Sequence, residues 1–186
     1  MSWQLVRLQD LPATPWRNGG GTTRELLAWP HSADWSCRFS VAEVTQNGPF
    51  SRFEGVQRWF AVLSGAGVRL TLANQSVDLN CNSAPFHFDG ALPVDCDLLG
   101  GPTQDFNLMV REPAGLAEMR RVSGLFERTL EASKLVAIFA IDKGAEVFFD
   151  EQIDTLPGGC LAWQLAPPGV VVSVNAANAL WLEVPL

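Results

Sequence analysis

Between Trp35 and Ala42 the chain alternates without a break. Trp35, Cys37, Phe39 and Val41 fall on one side, and Ser36, Arg38, Ser40 and Ala42 on the other. A period of two marks a strand with one buried face. The opposite face carries Arg38 and Ser40, which need water or polar partners. Short apolar runs of this kind recur along the chain, separated by turn residues. Twelve prolines and sixteen glycines supply the turns. That pattern predicts an all-β chain. With 186 residues, 47% of them hydrophobic, it is long enough for one domain or two small packed modules.

Strands are expected near 3–8, 22–29, 35–42, 58–63, 68–72, 77–79, 85–88, 94–98 and 104–110. The runs 58–63 and 68–72, joined by Ser64-Gly65-Ala66-Gly67, read as a hairpin. Arg111-Glu112-Pro113-Ala114-Gly115 reads as a junction, after which the strand pattern starts again. Strands follow near 119–122, 135–141, 147–149, 160–165, 170–174 and 179–184. Residues 125–134 fit a helical turn as well as a strand, and Asn175-Ala176-Ala177-Asn178 reads as a turn. Two modules result, residues 1–112 and 113–186. The first sets more polar residues inside its apolar strands, so the site is expected there.

Thirteen Lys and Arg against twenty Asp and Glu give a net charge of −7, which disfavours nucleic acid and anionic membranes as partners. No basic-then-apolar leader opens the chain, and no apolar run reaches the roughly 20 residues of a membrane span. A cytoplasmic location is expected. Cys37, Cys81, Cys96 and Cys160 form no C-x-x-C pair and are expected as free thiols.

The stretch Pro15-Trp16-Arg17-Asn18-Gly19-Gly20-Gly21-Thr22-Thr23-Arg24-Glu25 delivers two threonines and an arginine onto a strand. It lacks the lysine and following helix of a phosphate loop. Together with Trp35–Ala42, Gly48-Pro49-Phe50-Ser51, Phe53-Glu54-Gly55-Val56-Gln57-Arg58 and Gly101–Met109, in that order, it resembles the HutD/Ves family. The resemblance implies a bicupin, two cupin-like β-barrel or sandwich modules in one chain. It also implies a link to histidine utilisation and the binding of a pathway acid such as formylglutamate or urocanate. A cold- or stress-response role belongs to the Ves branch.

Cupin enzymes hold a metal with an H-x-H pair, a Glu and a later His. This chain has only His31 and His87, so no metal and no other cofactor is expected. Arg58 opens an apolar strand and is the leading candidate for a carboxylate. An internal salt bridge to Asp105 or Glu43 is the alternative. Arg38, Arg24, Ser40, Thr23, Asn107 and Asp105 together are read as a candidate pocket, with a buried polar network as the alternative for any one of them. Asn18 braces the glycine loop or reaches the ligand, and His87 lines the pocket or serves structure. Three functions remain: a metal-free binding protein for a small acidic metabolite, a metal-independent isomerase or hydrolase using Asp105 or His87 as base, and an interaction module with a filled barrel. A homodimer is left open.

Overall fold

The computed structural model describes residues 3–111, 117–150 and 152–186. Most of the expected junction, residues 112–115, lies outside them. The chain forms two compact units, one of Leu11–Pro113 and one of Met1–Asp10 with Ala114–Leu186. The N-terminal strand therefore leaves the module in which chain order places it. That strand, β1 (Gln4–Arg7), pairs antiparallel with β16 (Cys160–Ala166), and Leu8 donates to the Gly159 carbonyl at 2.9 Å. Pairing at an open sheet edge satisfies backbone groups that sequence neighbours do not.

In the first unit a six-stranded antiparallel sheet runs in the order β2 (Thr14–Pro15), β3 (Gly21–His31), β4 (Asp34–Val44), β11 (Thr103–Arg111), β6 (Val56–Ser64) and β9 (Phe86–Asp89). A four-stranded sheet runs β5 (Gly48–Pro49), β10 (Asp95–Leu98), β7 (Val68–Leu72) and β8 (Gln75–Leu79). Val44, Phe60, Val62 and Phe88 of the first sheet pack with Val68, Leu70, Leu72, Leu79 and Cys96 of the second. This is the core of the unit.

The expected hairpin across Ser64–Gly67 does not form. β6 pairs with β11 and β9, whereas β7 pairs with β8 and β10. The turn is a corner that moves the chain from one sheet to the other. Gly67 has φ 109°, and a Cβ there would stand 2.4 Å from the Leu79 carbonyl oxygen. Only glycine permits that path.

The second unit is a seven-stranded sheet ordered β1, β16, β13 (Lys134–Ala140), β17 (Val171–Pro185), β14 (Ala145–Phe149) and β15 (Gln152–Leu156), with β12 (Glu118–Thr129) also paired to β17. Residues 125–129 continue β12 as strand rather than turning helically. The expected turn at Asn175–Asn178 lies inside β17. There the register shifts between Val122 and Gly124 of the facing strand, so a bulge replaces a turn. The apolar interior includes Val136, Ile138, Val147, Val172, Val174 and Trp181. All four cysteines are free, with Cys37, Cys96 and Cys160 buried. Among the described residues no helix is long and apolar enough to cross a membrane.

Candidate functional site

Register places the polar candidates in rows across the six-stranded sheet. Glu25, Ser40, Asn107 and Phe60 are successive partners on β3, β4, β11 and β6. Arg38, Met109 and Arg58 form the next row on β4, β11 and β6. Alternation sends these side chains to one face. Together with the glycine loop and the segment Pro49–Phe53, they line a cavity of about 770 Å³ within the first unit. That is a size suited to a small metabolite. Arg38 and Arg58 are two strands apart, about 10 Å between their Cα positions.

Arg58 is 7% exposed. One Nη donates to Asn107 Oδ1 at 3.0 Å and the other to the Ser51 carbonyl at 3.3 Å, while Nε has no partner among the described residues. The guanidinium lies over the rings of Phe88, Phe50 and Phe53 at 5.1, 5.3 and 5.6 Å. Such contacts favour a cation, but none of them neutralises it. Arg58 makes no ion pair among the described residues, and neither expected internal partner is available. Glu43 binds Arg24 at 2.8 Å, and Asp105 accepts from the Thr103 hydroxyl at 2.7 Å. Burial lowers the Arg58 pKa to about 10, and the Arg38 charge adds to the shift. Arg58 remains charged at neutral pH.

Arg38 uses its Nε on Glu25 Oε2 at 2.7 Å. Among the described residues the lining thus holds Arg17, Arg38 and Arg58 against the single carboxylate of Glu25. Its excess charge is positive in a chain whose net charge is negative.

The glycine loop forms one wall. β2 and β3 make a short hairpin closed by Trp16 N–H to the Gly21 carbonyl at 2.9 Å. Asn18 Oδ1 accepts the Gly20 N–H at 3.0 Å, so it braces the loop while also lining the cavity. Trp16 Nε1 donates to Thr23 Oγ1 at 2.7 Å. A Cβ on Gly21 would stand 2.2 Å from the Glu43 carbonyl oxygen. Gly21→Ala must push the hairpin off β4. The expected loss is about 1–3 kcal/mol of stability, read by thermal unfolding.

Of the nine candidates, the lining gathers Arg58, Arg38, Ser40, Asn107, Thr23 and Asn18. It does not include Arg24, Asp105 or His87. Arg24 alternates with Thr23 and Glu25 and lies on the opposite face, paired with Glu43. Asp105 shares the face of Asn107 but sits beside Ala42 and Val62, fully buried. Its pKa is pushed up to about 7 by burial, against the lowering effect of Thr103. His87 pairs with Trp59, stacks on that ring at 4.3 Å and contacts Gln57 Oε1 at 2.8 Å, away from the cavity. Burial lowers its pKa.

Arg17, Glu25, Phe50 and Phe53, none of them a candidate from sequence, also line the cavity, as does Trp16. Alternation through Thr23 points to Glu25. Phe53 is placed by a 2.7 Å bond to the Gly90 carbonyl, a contact distant in sequence.

The lining does not fit the metal centre of cupin enzymes. Neither histidine belongs to it, and Glu25 is held by Arg38. Among the described residues no group of three or more His, Cys, Asp or Glu is placed to hold an ion.

Two antiparallel units built on the same strand plan, one with a cation-lined cavity, define a bicupin. Oxalate decarboxylase from Bacillus subtilis shares this fold at TM-score 0.65 and 9% identity, over 99% of this chain and 77% of that one. The chain belongs to the HutD family, whose model matches residues 8–182. It is 36% identical over 146 residues to an uncharacterised 21.2 kDa protein of the hutC 3' region in Pseudomonas putida, covering 77% of this chain and 76% of that protein. It is 31% identical over 155 residues to protein Ves of Escherichia fergusonii, covering 82% and 80%. HutD from Pseudomonas fluorescens SBW25 superposes at TM-score 0.84 with 28% identity, over 99% of this chain and 98% of that one. A conserved protein of unknown function from Pseudomonas aeruginosa PAO1 superposes at 0.89 with 28% identity over the full length of both. The family is linked to histidine utilisation.

Proposed function

We propose that this protein binds a small carboxylate metabolite in the first unit and modulates histidine utilisation through that binding. The observation that carries this reading is the buried Arg58 guanidinium, which lines a metabolite-sized cavity without an anionic partner among the described residues. A desolvated guanidinium favours a carboxylate in bidentate geometry. Arg38 adds a second cation, while Ser40, Asn107 and Thr23 offer groups for an amide or carbonyl. The hut designation of the relatives supports an acid of that pathway, formylglutamate or urocanate. The related HutD structure is of a formate condition, and formate is the smallest carboxylate.

Binding without turnover is favoured because both candidate bases, Asp105 and His87, lie outside the lining. A cavity of this volume also speaks against a barrel filled by its own side chains.

The test is thermal shift of wild type and Arg58→Ala against histidine-pathway acids. A ligand that binds only the folded state raises the apparent Tm by mass action. One acid should shift the wild type and leave Arg58→Ala unmoved, with affinity reduced about 100-fold in the variant. No shift with any acid would sink the reading. A shift that survives in Arg58→Ala would move the anchor to Arg38.

A further inference from the structure

Both units use one strand plan. In the first, the path β4, β11, β6, β9 accompanies the β7–β8 hairpin. In the second, β12, β17, β13, β16 accompanies the β14–β15 hairpin. β11 and the last half of β17 are therefore corresponding central strands, as are β6 and β13. In each unit a cation on the second strand reaches a polar group on the first. Arg58 of β6 donates to the neutral amide of Asn107 on β11. Lys134 of β13 donates to the carboxylate of Glu183 on β17.

Glu183 is 1% exposed. Trp181 Nε1 donates to its Oε1 at 2.8 Å, Arg128 Nη1 approaches that same oxygen at 3.2 Å, and Lys134 holds Oε2. Arg128 is shared with Glu118 at 2.8 Å and lies over Phe126, which packs edge-on against Trp181. The carboxylate thus meets two cations and an indole N–H, a donor set fit for the head group of a free acid.

We propose that the second unit contains a carboxylate-binding site that the chain fills itself. Glu183 is its tethered ligand, and removing that side chain yields a site for a free small monocarboxylate such as formate. The native protein then binds one external acid per chain, in the first unit.

The test compares the full-length wild type, Glu183→Ala and Glu183→Gln by thermal unfolding in sodium formate and in sodium chloride at equal ionic strength. Any formate taken up by the first unit appears equally in all three, so failure of the carboxylate reading for that unit does not affect the comparison. Glu183→Ala should be less stable than wild type in chloride. At about ten times its Kd, formate should raise its Tm about 3–5 °C more than that of wild type. Glu183→Gln keeps the space filled and should respond like wild type. An Ala variant that folds in formate but not in chloride supports the proposal equally. An Ala variant with the wild-type formate response, or one recovered by neither salt, overturns it. So does a Gln variant that responds like Ala, because the effect is then general to charge and not to a vacated site.

Discussion

Asn107→Asp is expected to close the cavity to the proposed carboxylate. Asn107 Oδ1 already accepts from Arg58 at 3.0 Å, and aspartate has nearly the same shape. The substitution turns a neutral acceptor into a carboxylate at hydrogen-bond distance from a buried, unpaired guanidinium. The internal ion pair then takes the place that the proposed function gives to an external acid. Losing a desolvated arginine–carboxylate contact costs about 2–5 kcal/mol, so affinity should fall about 100-fold. Calorimetry with the acid that shifts the wild type measures this directly. The ligand-free variant should melt no lower than wild type, because its new charge is paired at once. That separates it from Arg58→Ala, which also removes packing against Phe50, Phe53 and Phe88. Undiminished affinity in a well-folded Asn107→Asp would show that the acid does not anchor on Arg58.

Much of this site was legible because alternation is a local signal. Trp35–Ala42 assigns Arg38 and Ser40 to one face without any knowledge of the partner strand, and Asn107 follows in the same way from 104–110. Arg58 stood out as a lone cation before an apolar run. The candidates that fall outside the lining are placed by strand pairing, which local alternation does not carry. Arg24 follows the glycine loop closely in sequence, but period two through Thr23, Arg24 and Glu25 separates its face from theirs. Asp105 had the right face and the wrong depth. It stands opposite Ala42 and Val62, fully buried and outside the lining. His87 is placed by pairing with Trp59, which no local pattern announces. The corner at Ser64–Gly67 shows the same limit, because a glycine turn between two strands does not say which sheet receives the second. Arg17 and Phe53 sit on loops, where no period assigns a face.

Asp105→Asn is expected to stabilise the protein in a pH-dependent way. Asp105 is fully buried, one oxygen accepts from Thr103, and the other has no partner among the described residues. Burial raises its pKa to about 7, against about 3.9 for an aspartate in an unfolded chain. Between these values the folded state binds more protons than the unfolded one, so stability must fall as pH rises. The contribution is fully present below about pH 4, declines through the interval and is lost once pH passes about 7. Three pKa units correspond to about 4 kcal/mol as an order of magnitude. Asparagine carries no such proton, and its carbonyl still accepts from Thr103. Denaturant unfolding of both proteins at pH 4.5 and pH 8 reads the difference. Asp105→Asn should gain little at the lower pH and several kcal/mol at the higher. The buried Cys96 thiol, whose pKa is pushed up to about 12 by burial and then by the Asp105 and Asp97 charges, stays neutral throughout and does not blur the comparison. Parallel stability curves for the two proteins across this range would mean that Asp105 is ionised in the folded state at low pH as well. Its unpartnered oxygen would then have to be charged in an apolar core, at a cost that the Thr103 hydroxyl alone does not offset.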